Sequence, residues 1–159
     1  MDQELSGRLP RRSMEPGTLK AVGVWFLARD TGRYLYLLRN DPKHPGTWGL
    51  PGGKIESGET LLGGMERECR EELGSFPEYE RLIPLEKFTS GDLGFEYHTW
   101  VCVLANEFHP VLNHEHHGYA WIASGTWPKP MHPGLWNTIN IKEVKHKILQ
   151  AQQDLVGNM

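Results

Sequence analysis

Residues 52–75 read GGKIESGETLLGGMERECREELGS. Gly53 is followed after five residues by Glu59, seven more lead to Arg67-Glu68, and Glu71-Glu72 and Gly74 close the run. With usage of about 7% for glycine and roughly 6% for each charged type, those seven positions arise by chance in on the order of one chain in a million. The rest of the chain is therefore read outward from this stretch.

Thr60 to Leu73 is predicted as a helix, with Thr60 as N-cap and Gly74 as the left-handed residue that ends it. At about 100° per residue, Glu68, Glu71 and Glu72 share one face. Leu62, Met65, Cys69 and Leu73 form an apolar stripe roughly 100° round from them. Like charges at these spacings each cost roughly 0.2–0.5 kcal/mol. Glu71 and Glu72 also stand in the last turn, where the helix dipole favours cations. Gly63 and Gly64 cost roughly another 1 kcal/mol each relative to alanine. A segment that breaks three local rules marks a site, and clustered carboxylates become favourable around a hard divalent cation such as Mg²⁺ or Mn²⁺. The bland alternative is a solvated acidic face balanced by Arg67 and Arg70. Gly53 and Glu59 argue against it, because they add a loop that can offer a backbone carbonyl beside the carboxylates.

The pattern resembles the Nudix box of the Nudix hydrolases, which hydrolyse nucleoside diphosphates linked to another group X. All seven glycine and charged positions match, and the lead-in Trp48-Gly49-Leu50-Pro51 is also of the family's kind. Two positions depart: Cys69 and Ser75 stand where aliphatic residues are usual, and a buried cysteine packs as a small hydrophobe. The resemblance implies that Glu68 and Glu72 bind Mg²⁺ or Mn²⁺, with help from Glu71 and the Gly53 carbonyl. It implies that Glu59 and Arg67 are architectural, pairing to hold loop against helix. It further implies an acidic residue in a loop after the central strands, for which Glu115 is the match, as metal ligand or general base.

At 159 residues the chain is read as one domain, 18–159, behind a polar arm, 1–17, that carries Arg8, Arg11 and Arg12. An apolar content of 38% and a mean hydropathy of -0.51 suit a soluble protein, and no apolar run is long enough to span a membrane. No signal-peptide core is visible, and two cysteines, Cys69 and Cys102, make no disulfide framework, so a cytoplasmic location is expected. A net charge of -3 argues against dedicated nucleic-acid binding. Monomer and homodimer stay open.

Upstream of the box, Thr18–Ala28 and Arg33–Arg39 read as a hairpin turning at Asp30-Thr31-Gly32, with Val22, Val24 and Phe26 on one face. Arg39, at a strand end, is a candidate for a substrate phosphate or a solvated strand end. Trp48 is a candidate for base stacking or core packing. Downstream, Glu80–Thr89 and Phe95–Ala105 read as strands. The face bearing Glu96 and His98 suits a cleft wall or an edge open to water. Asn113-His114-Glu115-His116-His117 invites a zinc reading but lacks a companion cluster. His114, His116 or His117 can serve as base in place of Glu115. A strand follows over Gly118–Ala123. Ser124–Pro133 is long enough for a specificity loop or lid. Leu135–Gln153 reads as a second helix, with Ile141, Val144, Ile148 and Leu155 inward and Lys142, Lys145 and Lys147 solvated.

These elements give an α+β domain with a mixed sheet between helices, and the resemblance makes it the Nudix fold. The expected activity is Mg²⁺-dependent cleavage of a diphosphate linkage in a small-molecule nucleotide, a nucleoside triphosphate or a relative, to a nucleoside monophosphate. Glu71, Glu72 and Glu115 are the catalytic candidates, and Glu72→Gln is expected to abolish turnover. Two alternatives stand beside it. One is a nucleotide-sugar hydrolase, since Glu115–Trp121 loosely resembles part of the GDP-mannose mannosyl hydrolases. The other is a non-catalytic nucleotide-binding protein on the same fold.

Overall fold

The computed structural model describes residues 18–156; the arm over 1–17 lies outside them. The order is β1 (Leu19–Ala28), β2 (Arg33–Arg39), β3 (Trp48–Gly49), β4 (Gly52–Lys54), α1 (Leu61–Leu73), β5 (Arg81–Thr89), β6 (Phe95–Leu104), β7 (His116–Ala123), α2 (Pro133–Ile139) and α3 (Lys142–Val156). All seven strands form one mixed sheet of order β3-β2-β1-β6-β5, with β4 added to β1 and β7 to β2.

β1 is the organising strand. It runs parallel to β6 along its whole length, from Leu19 opposite Phe95 to Ala28 opposite Leu104. The β1–β2 hairpin is closed by Gly32, whose φ of 73° suits glycine, and the two strands pair only at Leu27–Tyr34 and Ala28–Arg33. Farther from the turn, β1 takes β4 as its partner, with Val22 opposite Gly53. β2 pairs instead with β3 on one side and β7 on the other. The box loop therefore enters the sheet between two strands that have parted, and that parting opens the cleft described below.

Alternation along β1 and β6 makes two cores. Val22, Val24, Phe26, Cys102 and Leu104 meet Met65, Cys69 and Leu73 of α1. Trp25, Leu27, Val101 and Val103 meet Leu135, Ile139, Val144 and Ile148 of the C-terminal helices. Fully burying each such aliphatic contributes about 1.5–3 kcal/mol, which holds helices on both faces of the sheet. Both cysteines are buried and free. Among the described residues no helix is long and apolar enough to cross a membrane.

Three local expectations need correction. Leu62 is 48% exposed, and Leu61 packs on the core in its place, because the inward row follows i, i+4 through Met65, Cys69 and Leu73. The expected helix over 135–153 is two helices. Asn140 ends α2, its amide side chain donating to the Trp136 carbonyl at 2.9 Å. Such side-chain bonding to the backbone competes with helix continuation. Lys147 of α3 is not simply solvated, since its Nζ donates to the Leu85 carbonyl of β5 at 3.1 Å.

Candidate active site

α1 begins and ends as its caps dictate. Thr60 Oγ1 accepts the Gly63 N–H at 3.0 Å, and Gly74, with φ of 83°, donates its N–H to the Arg70 carbonyl. The loop before it is tied to the helix by Arg67. Its Nε and Nη2 donate to the two Glu59 oxygens at 2.6 and 3.0 Å, and Nη2 also donates to the Lys54 carbonyl at 2.9 Å. This bidentate pair sets the loop at a fixed height over the helix. A Cβ at Gly53 would push the Glu68 carboxylate out of its place. Gly52, at φ 144°, would likewise strike the Val22 carbonyl.

The result is an acidic cavity of about 550 Å³ whose lining includes Gly53, Glu68, Glu72, Glu115, Arg39 and His116. Glu72 is only 4% exposed, and one of its oxygens accepts the Gly52 N–H at 3.1 Å. Glu115 reaches the cavity from the loop before β7. That loop is stapled to Asn40, whose backbone N–H donates to the Glu115 carbonyl at 2.9 Å and whose side chain donates to the His114 carbonyl at 3.1 Å. A second cavity of about 530 Å³ adjoins the first through the shared wall of Arg39, Leu50 and Tyr97. Its lining is mainly apolar, from Phe88, Phe95, Leu135 and Ile141. One cleft thus has an acidic half and an aromatic half.

The NUDIX domain model matches residues 17–139 of this sequence. The chain belongs to the Nudix hydrolase family. It is a hydrolase of acid anhydrides, and the family acts on small nucleotides and generally uses a divalent metal. It is 30% identical over 109 residues to the nucleoside triphosphatase NudI of Escherichia fergusonii, covering 60% of this chain and 77% of the relative. Among solved structures, the fold is similar to RenU, a Nudix hydrolase of M. smegmatis (TM-score 0.65, 22% identity, 86% of each chain). It is also similar to a MutT Nudix hydrolase of Burkholderia pseudomallei (TM-score 0.53, 26% identity, 72% of this chain and 92% of that one).

In this Nudix hydrolase the donor set fits a divalent cation. Burial, together with the negative charges of Glu68 and Glu115, pushes the Glu72 carboxyl up to about 9, against the opposing Gly52 N–H. Burial also raises Glu68, with Arg67 opposing and Glu71 and Glu115 adding to the shift. A carboxyl held protonated at neutral pH by burial and nearby negative charge, as Glu72 is, would ionise on meeting a cation. Among the described residues no three His, Cys, Asp or Glu side chains already close into a finished cage.

The remaining sequence candidates fall in different places. The Glu71 side chain is 55% exposed, pairs with Arg67 Nη1 at 3.3 Å, and does not line the acidic cavity. Arg39 stands between the two cavities, its Nε donating to Asp41 at 2.6 Å, and this hydrogen bond holds Asp41 well below the usual carboxylate range. Trp48 packs on the core, while its neighbours Gly49 and Leu50 line the cleft. His116 is the first residue of β7, two before the expected strand start, and pairs with Arg39. Burial, then Arg39, lowers it to about 4, so the ring is neutral at pH 7. His114 lines the acidic cavity and His117 is exposed.

Two expectations about the walls are overturned. The face of β6 that reaches the cleft carries Phe95 and Tyr97; Glu96 and His98 lie on the other side, hydrogen-bonded to each other at 3.1 Å. The β1 register decides this, since His98 stands opposite Val22 on the α1 face. β6 is also no edge, as it lies between β1 and β5. The far end of the 124–133 segment is tied to Trp48, against a lid, while His132 lines the aromatic cavity as a specificity loop would. Trp48 N–H donates to the Pro130 carbonyl and His132 N–H to the Trp48 carbonyl, each at 2.9 Å. Glu86 and Tyr97 were not singled out from the sequence as site residues. Tyr97 is signalled only by Gly23, two residues beyond its β1 partner Ala21, where any Cβ would meet the phenol.

Proposed function

We propose that this Nudix hydrolase is a Mg²⁺-dependent pyrophosphohydrolase that cleaves a nucleoside triphosphate, or a related nucleotide, to a nucleoside monophosphate. The observation that carries the reading is the gathering of Glu68, Glu72, Glu115 and the Gly53 backbone around one cavity, beside an apolar cavity wide enough for a base.

Glu68, Glu72 and the Gly53 carbonyl would hold the cation. When bound, it supplies charge neutralisation at the phosphate oxygens and a water of lowered pKa. The chain's own residues do the rest. Gly52 N–H holds Glu72, and Arg67, itself clamped by Glu59, stands 3.4 Å from Glu68, which keeps both box carboxylates near the cavity before the cation arrives. Glu71 is engaged by Arg67. The exposed Glu115 carboxylate, placed by the Asn40 staple, takes the proton of the attacking water, with neutral His116 as the neighbouring acceptor. Arg39 in the shared wall positions the phosphate chain between base and carboxylates. The relatives named nucleoside triphosphatase support the triphosphate as substrate class.

Phosphorus NMR of the products, with Mg²⁺ and a panel of nucleoside triphosphates and GDP-sugars, tests this. A nucleoside monophosphate with pyrophosphate is expected. A diphosphate with free phosphate, or free sugar released from an intact GDP, would refute it.

A further inference from the structure

One polar atom in the aromatic half of the cleft has no hydrogen-bond partner among the described residues. β5 and β6 pair regularly except between Pro84 and Glu86, where a bulge inserts Leu85. In unbroken register Glu86 would stand opposite His98, on the α1 face. The bulge sets it opposite Thr99 instead, on the face shared by Phe88 and Tyr97. Bulges commonly re-aim a side chain next to a site. Here the side chain re-aimed into the cavity is a carboxylate. Its Oε1 is buried and has no hydrogen-bond partner among the described residues. Burial raises the Glu86 carboxyl and the Lys147 charge opposes that rise, while the Lys147 ammonium donates its hydrogen bond to the Leu85 carbonyl. A buried, unpartnered carboxylate oxygen is costly to a fold and explained most simply by a ligand.

The rest of the cavity says what kind of ligand. Phe88, Phe95 and Tyr97 make one wall aromatic, the last two with rings stacked 13° from parallel and centroids 6.4 Å apart. Leu50, Leu135 and Ile141 line the remainder. A flat heterocycle suits such a wall. Because Arg39 and Tyr97 belong to both cavities, a base stacked here directs its phosphates toward Gly53, Glu68 and Glu72.

An ionised carboxylate only accepts. On their Watson–Crick edges, adenine and cytosine set a ring-nitrogen acceptor beside their amino group, and uracil flanks its single N–H with carbonyls. Guanine alone presents two adjacent donors, N1–H and N2–H. We propose that the aromatic half of the cleft binds guanine, with the Glu86 carboxylate accepting N1–H and N2–H, so that Glu86 selects guanine nucleotides. This rests on the reading that the cleft takes a nucleotide.

The test pairs binding with turnover. Calorimetry of GMP, IMP and AMP on the wild type is expected to give GMP tightest, IMP (which lacks N2–H) intermediate, and AMP weaker than GMP by roughly 10- to 100-fold. Glu86→Gln is expected to reverse the order of GMP and AMP, because an amide can donate to adenine N1 and accept from N6. Glu86→Ala is expected to weaken GMP without improving AMP. A purely structural role for Glu86 predicts equal losses for all three ligands. Equal binding of GMP and AMP by the wild type, binding of neither, or parallel losses in Glu86→Gln would overturn the proposal. Steady-state kcat/KM for GTP and ATP separates the two readings. Turnover of both at equal kcat/KM would sink the guanine assignment and leave the pyrophosphohydrolase standing. A GMP-to-AMP reversal without turnover of any triphosphate would do the opposite.

Discussion

Glu72→Gln should make the metal-free protein more stable while abolishing its activity. Glu72 is 4% exposed, and its carboxyl is pushed up to about 9 by burial first and by Glu68 and Glu115 after it. Its folded pKa lies above the ordinary 4.5, so the stability it contributes is fully present below about pH 4.5 and is lost as pH rises through about 9. Protonating it at pH 7, about 2.5 units above its unfolded value, costs about 3 kcal/mol at 1.36 kcal/mol per unit. Glutamine is neutral at every pH and can still accept the Gly52 N–H. In EDTA at pH 7 the variant should melt roughly 6–12 °C above the wild type, given about 2–4 °C per kcal/mol for a chain of this size. The gap should close toward pH 5. Mg²⁺ should stabilise the wild type and leave the variant nearly unmoved, since a cation that binds only the folded state adds stability by mass action. Thermal melts of both proteins from pH 5 to 8, with EDTA and with Mg²⁺, read this directly. A metal-free variant no more stable than the wild type at pH 8, or a gap independent of pH, would refute the burial argument.

Other outcomes follow from the same geometry. Gly53→Ala places a methyl against the Glu68 carboxylate, so kcat/KM should fall on the order of 100-fold, as for a small misplacement of a reacting group, while far-ultraviolet circular dichroism stays unchanged. Arg39→Ala removes the shared wall between the cavities and should raise KM for the nucleotide roughly 10- to 100-fold with a smaller effect on kcat, measured by initial rates. Ile148→Ala empties a fully buried site between α3 and the sheet and should cost about 2–5 kcal/mol in urea unfolding, with kcat/KM retained below the transition.

The box was legible because its residues act locally. Thr60, Gly74, Glu59 and Arg67 sit within one loop–helix unit, and caps and ion pairs at fixed spacing are written in the chain. Glu115 was legible only through the family pattern, because what brings it to the cavity is the Asn40 staple, a contact between residues 75 apart. The face of β6 that builds the cleft was misread for a similar reason. Strand alternation gives two faces, but the register with β1, which no local signal carries, decides which one meets the cleft. Glu86 was invisible because its direction depends on a bulge, and one inserted residue turns a side chain to the opposite face. The break at Asn140 was readable in principle, since asparagine favours a helix end, yet apolar periodicity across 141, 144 and 148 masked it.

Glu68, Glu72 and the Gly53 carbonyl are the proposed cation site of this hydrolase. Electron paramagnetic resonance of free Mn²⁺, titrated against the wild type and Glu68→Gln, tests it most directly. The wild type is expected to deplete the free-ion signal at micromolar Mn²⁺, and Glu68→Gln to weaken binding at least tenfold. Equal depletion by both proteins would place the metal elsewhere and contradict the account.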